Sequence, residues 1–164
     1  MMTKISAFQN AAAIISTFKI NQRVIHRNTK DITQADSLVQ IKPAGNCLNW
    51  VIGHILSSRN GMFKYLKLEP FWSDENEELY TFGSKAIDKN SKSLKLEDML
   101  KTYDQSQKTL EAALEKLSDD DLKFEIDDKG TTVGQKLAFL AWHEGYHAGQ
   151  TAINRRVAGF EGAI

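Results

Sequence analysis

Only two prolines interrupt this chain, Pro43 and Pro70. A proline inside a helix removes a backbone donor and clashes with the preceding turn, so long proline-free stretches are open to helix. Apolar residues recur there at three- and four-residue spacing. The first helix is expected over 4–29, where Phe8, Ala11, Ile15, Phe18, Gln22 and Ile25 share a face. His26, Arg27 and Lys30 place positive charge at its C-terminal end, where the helix dipole favours it. A second is expected over 46–67, approached through Pro43 and Gly45, with Leu48, Val51, Ile55, Met62 and Leu66 as its apolar face. A third is expected over 95–117, through Leu96, Met99, Leu100, Tyr103, Leu110, Leu114 and Leu117. Ser118 before three aspartates reads as the cap of a short extra helical turn. Residues 127–130, Asp-Asp-Lys-Gly, are a turn signal. Thr132-Val133-Gly134-Gln135 has the form of a capping box. It opens a fourth helix over 132–158, ending before Gly159.

Four long helices with little strand signal predict an all-α fold, a four-helix bundle. A chain of 164 residues is expected to form one domain, 1–164, around one core. The connection between the second and third helices, about 27 residues, is long for a bundle. The second helix is roughly 33 Å long at 1.5 Å per residue. An extended connection of that length spans about 80–90 Å. It can therefore cross the whole bundle, and the expectation is a long crossover connection between helices 2 and 3, with those helices parallel.

Composition narrows the function. Lys+Arg and Asp+Glu both number 21, so the net charge is zero, and the basic excess of a nucleic-acid binder is missing. Arg155 and Arg156 fit better as cations at a helix end. Cys47 is the only cysteine. That rules out a disulfide framework and a thiolate metal cluster, and it suits a reducing cytoplasm. Polar Ser6, Gln9, Asn10, Ser16 and Thr17 break up the N-terminal apolar stretch, against a signal peptide. No apolar run reaches the length of a membrane span.

The chemistry concentrates in Leu140–Arg156, which contains His143-Glu144-Gly145-Tyr146-His147. Histidines at i and i+4 share a helix face. Such a pair can chelate a divalent metal, or it can be incidental to the packing of a helix. Phe139 and Leu140 flank the pair and point it toward the bundle interior, where unpaired imidazoles would need partners. Two histidines remain. His26 sits at a helix end among basic residues and reads as solvated or dipole-related. His54 lies within the apolar part of the second helix and is the natural third ligand. Three histidines plus an open position is the pattern of a catalytic metal site. The open position suits a water, whose pKa the metal lowers.

H-E-x-x-H also marks zinc proteases. That reading remains as a minor alternative, a metalloprotease with Glu144 as its base. Gln150 and Ile153 stand where one protease class has a glycine and a third histidine. The sole glutamate downstream is Glu161, beyond the expected helix end. No sheet edge is evident to bind an extended peptide. Glu144, roughly 100° around the helix from His143, reads instead as solvated or as a support for the site.

These residues carry a resemblance. Lys42–Ile55 (KPAGNCLNWVIGHI), Leu117–Leu122 (LSDDDL) and above all Thr131–Gln150 (TTVGQKLAFLAWHEGYHAGQ) resemble the DinB/YfiT-like superfamily of metal-binding four-helix bundles. The likeness spans nearly the whole chain, and the family's histidine triad falls on His54, His143 and His147. It implies a divalent metal, zinc or nickel, with solvent-accessible positions. It also implies a long crossover between helices 2 and 3, and frequent homodimers. Relatives include thiol S-transferases that use bacillithiol, mycothiol or glutathione, and others that resemble hydrolases or isomerases. The expected mechanism is attack by a metal-activated water or thiol on a small electrophilic substrate. The alternative is a non-enzymatic metal-binding or small-molecule-binding module of a stress response. Trp50, Tyr146, Gln150 and Asn154 are candidate pocket-lining residues. Trp50 and Tyr146 read first as core aromatics, Gln150 as a helix contact or a bond to the site histidine. Cys47, seven residues before His54, reads as an inert core residue.

Overall fold

The structure is a computed structural model and describes residues 10–163. The described residues form seven helices: α1 (Ala11–Thr29), α2 (Gln34–Ser37), α3 (Leu48–Tyr65), α4 (Asp74–Tyr80), α5 (Leu96–Leu114), α6 (Asp119–Lys123) and α7 (Val133–Val157). Among them there is no strand, only an isolated bridge between Glu125 and Thr132. The all-α fold expected from the periodicity is what forms, with α1, α3, α5 and α7 as the four long helices.

The local signals explain the boundaries. The Thr132–Gln135 capping box is made, with both of its hydrogen bonds present. Ser118 and Asp121 form a second box and start α6. The first helix begins later than its periodicity suggests. Asn10 is extended and its side chain accepts from the Ala12 amide at 2.8 Å, which makes it the cap. Residues 4–9, Phe8 included, lie outside the described residues. The short helices α2 and α4 leave no amphipathic period long enough to read. Thr33 caps α2 with a box closed by Asp36.

Hydrogen bonds between helices give their relative directions. Asn21 and Asn28 of α1 reach Ala141 and Thr151 of α7, so the numbering ascends together. The same holds for α3 and α5: Asn49 bonds the Leu94 carbonyl, and Arg59 bonds Tyr103 and Ser106. Between α3 and α7 it runs oppositely, since Arg59 meets Glu144 and the Asn46 carbonyl meets Asn154. Residues 66–95 retrace α3 from its end to its start. The Phe71 and Trp72 amides bond Asn60, the Tyr80 hydroxyl bonds Asn49, and the Cys47 thiol bonds the Ile87 carbonyl. This cover is why α3 is buried continuously from Leu48 to Ser57 instead of along one stripe.

The core is two apolar clusters. One gathers Ile25, Val51, Ile52, Ile55, Tyr80, Met99 and Tyr103; the other gathers Phe18, Met62, Phe63, Leu110, Leu114 and Leu137. Along α3, α5 and α7, buried polar residues fall between the two sets: Arg59, Ser106, Gln107 and Glu144.

Candidate metal centre

His54 projects from α3 and His143 and His147 from α7, the two histidines of α7 one turn apart. One ligand-capable nitrogen of each lies within 4.8 Å of the others. The rings meet edge to face, with centroids 4.4 Å apart for His143–His147, 4.8 Å for His54–His147 and 5.2 Å for His54–His143. The Nε2 atoms of His143 and His147 approach to 3.1 Å.

Two of the three tautomers are set by their outer partners. His54 Nδ1 donates to the Tyr80 carbonyl at 2.8 Å, so its Nε2 carries the lone pair. His147 Nδ1 lies 2.8 Å from Gln150 Oε1, an acceptor, with the same consequence. Gly53 makes the first of these possible. The Tyr80 ring lies directly on it, where a methyl group would overlap ring atoms. Tyr80 is itself locked, donating to Asn49 and accepting from the Leu94 amide. His143 is the outlier: its Nδ1 is buried with no hydrogen-bond partner among the described residues.

Burial disfavours the charged form of all three rings. It lowers His54, and it lowers His143 with help from His54 nearby. His147 falls to about 4, chiefly through burial, although the Gln150 bond opposes the shift. The imidazoles are therefore neutral at neutral pH, the form coordination requires. Converging lone pairs on neutral imidazoles repel unless a cation or a proton joins them. This donor set fits a divalent first-row ion and does not choose among such ions.

The expected neighbours divide. Trp50 is buried and stacks on His54, with ring centroids 4.7 Å apart and planes 11° apart, while its Nε1 donates to Ser84. Tyr146 does not join the core. It is 56 % exposed, its ring edge meets His147, and its hydroxyl accepts from Gln150 Nε2. Gln150 thus links Tyr146 to His147. Asn154 is buried and uses its amide to hold the Asn46 carbonyl at 2.9 Å, tying the end of α7 to the approach of α3. His26 stays outside the triad, exposed and 2.7 Å from Asp104. Cys47 is buried on the Ile87 carbonyl, and burial pushes its thiol pKa up. Of the two flanking residues expected to point inward, Leu140 is buried, but Phe139 is 50 % exposed with its ring stacked on His143. The triad therefore approaches the bundle surface at His143, beside exposed Phe139 and Tyr146, while His54 and His147 are buried.

Glu144 is neither solvated nor a base for the site. It is 3 % exposed, and Arg59 grips both carboxylate oxygens, Nε to Oε2 at 2.6 Å and Nη2 to Oε1 at 2.9 Å. Tyr103 donates to Oε1 at 2.9 Å. The ion pair turns Glu144 toward α3 and α5, which removes the group a protease mechanism needs. Arg59 and Tyr80 were not singled out from the sequence. An arginine inside the apolar run of α3 was a signal, because a buried cation demands an anion. Tyr80 offers only a backbone carbonyl, which no residue type announces.

No curated protein matches the chain. A family model described as the DinB superfamily matches residues 17–151. That span contains α1 from its second turn, all of α3 and α5, and α7 through both of its histidines, and the chain accordingly belongs to the DinB superfamily.

Proposed function

We propose that His54, His143 and His147 hold a divalent metal ion, zinc or nickel, and that the protein is a metal-dependent enzyme of the thiol S-transferase or hydrolase type acting on a small electrophilic molecule. One observation carries this reading: three neutral imidazoles converge, and Tyr80 and Gln150 force the Nε2 lone pairs of two of them inward. When bound, the ion supplies Lewis acidity where the three rings converge. The chain's own residues do the rest. Tyr80 and Gln150 orient the ligand rings, Trp50 shields His54 from solvent, and Tyr146 stands at the rim as a hydroxyl able to bond a substrate. A low-molecular-weight thiol such as bacillithiol or glutathione is the proposed co-substrate. The site is cytoplasmic in this reading, supported by the single buried thiol. The homodimer belongs to the same proposal. It is supported by the outer face of α7, where Trp142, Tyr146, Ile153 and Val157 stand exposed in one stripe.

Metal analysis of protein purified without chelators tests the triad, alongside His54→Ala and His147→Ala. Stoichiometric metal lost in both variants is the expected result, and unchanged metal content sinks the assignment. Turnover of a panel of electrophiles with added thiols tests the enzyme. Absence of turnover across the panel in metal-loaded protein leaves a binding module instead.

A further inference from the structure

Ligands that come from two helices meet at one ion only if those helices are held in one relative position. His54 stands on α3, and His143 and His147 stand on α7. Metal–nitrogen bonds are about 2.0–2.1 Å long, so a slide or roll of α7 by about 1 Å takes a ligand out of reach. Apolar contacts are non-directional and set that position less sharply than hydrogen bonds do. Among the described residues, the hydrogen bonds that join α3 to α7 are the two arms of one fork, from Arg59 Nε to Glu144 Oε2 and from Nη2 to Oε1. The fork stands beside the ligands. Glu144 follows His143 directly and precedes His147 by three residues, and Arg59 follows His54 by five, roughly 7.5 Å along α3.

Both partners are in turn fixed by α5. The Arg59 Nη1 donates to the Tyr103 carbonyl at 3.2 Å and to Ser106 Oγ at 2.9 Å, and the guanidinium carbon lies 3.9 Å from the Tyr103 ring centroid. The Tyr103 hydroxyl holds Glu144 Oε1. The two charged side chains are only 1 % and 3 % exposed. Stability alone does not account for placing them there. Desolvation offsets much of the attraction in a buried pair, and well-packed apolar residues in its place are often as stabilising or more so. What apolar residues do not supply is direction. A two-armed guanidinium–carboxylate bond fixes separation and rotation together.

We propose that Arg59 and Glu144 are positioning residues for the metal centre: their fork sets the register of α7 on α3 that brings His143 and His147 to His54. The proposal rests on the metal reading of the triad and assigns the glutamate of H-E-x-x-H a mechanical role. Glu144 acts through the backbone of α7, because its carboxylate is spent on Arg59 and Tyr103.

Cobalt(II) titration makes the test independent of activity. The visible bands of the ion report the number and arrangement of its ligands, and competition with a chelator gives its affinity. Arg59→Met combined with Glu144→Leu removes both charges together. This double variant is expected to fold, judged by helical circular dichroism and cooperative unfolding, yet to bind cobalt about tenfold more weakly and with altered bands. Leu110→Ala opens a cavity in the other apolar cluster, lowers stability, and should leave both cobalt readouts unchanged. Three results overturn the proposal. A double variant that does not fold shows that the pair serves stability. A folded double variant with the affinity and bands of the parent shows that the fork does nothing for the site. Equal losses in Leu110→Ala show that any weakening of the core loosens the ligands. Failure of the metal reading looks different: the parent protein binds no cobalt, or His54→Ala retains it, and the positioning role then falls with it.

Discussion

Two buried polar clusters sit on neighbouring faces of α7, one residue apart in sequence, and they have opposite characters. Around Glu144 the groups are closed on one another. Arg59 bonds Glu144, Gln107, Ser106 and the Tyr103 carbonyl, and Tyr103 bonds Glu144. Burial holds the Tyr103 hydroxyl far above its ordinary pKa, so it remains a donor. Around His143 and His147 the groups are open. The outer nitrogens of His54 and His147 are satisfied, while the Nε2 atoms of His143 and His147 approach to 3.1 Å and one nitrogen of each of the three rings lies within 4.8 Å of the others. Both clusters remove polar groups from water, but one consumes its own bonding capacity and the other keeps it. A closed network specifies how helices pack; an open one is where a ligand enters.

The comparison breaks most visibly at the ion pair. Arg59→Met alone should cost about 3–5 kcal/mol in denaturant unfolding, because it leaves a buried carboxylate uncompensated. Adding Glu144→Leu should recover about half or more of the loss, since the stranded charge is gone. If the double variant is no more stable than the single, the two residues are not energetically coupled as a pair.

A smaller effect is expected on the open side. Gln150→Leu removes the bond that orients His147 and should weaken metal binding about 10- to 100-fold. It should leave the metal-free protein within about 0.5 kcal/mol of the parent. Metal titration and metal-free melting, compared side by side, separate a ligand-orienting role from a structural one.

The last effect is a pH slope. His147 titrates near 4 when folded and near its ordinary 6.5 when unfolded. The unfolded chain therefore binds more protons between those values, and stability rises with pH there. The metal-free protein should be most stable above about pH 6.5 and lose stability steadily toward pH 4. Replacing His147 with Gln should flatten that slope, and an unchanged slope would show that other groups carry it.

Much of this was legible in the chain. Helical periodicity, the two prolines and the capping sequence at Thr132 placed α3, α5 and α7 to within a few residues. The three histidines were legible because imidazoles in apolar helix faces are uncommon and demand partners. The role of Glu144 was not, because H-E-x-x-H looks the same whichever way the glutamate turns. The reading of Tyr146 as a core aromatic fails for a similar reason, since it is 56 % exposed and an aromatic ring does not declare whether it faces core or solvent.

The sequence by itself determined the all-α class of the fold and the face that His143 and His147 share on α7, since both follow from spacing along individual helices. Only the tertiary structure decided which nitrogens point inward. That depends on a carbonyl at Tyr80, which reaches His54 because Gly53 has no side chain to keep it away. It also decided that Arg59 takes Glu144 out of play, because the two lie 85 residues apart and meet only when α3 packs against α7. Spacing constrains what shares a face; which faces meet is settled by packing, and the open site is what that packing leaves unsatisfied.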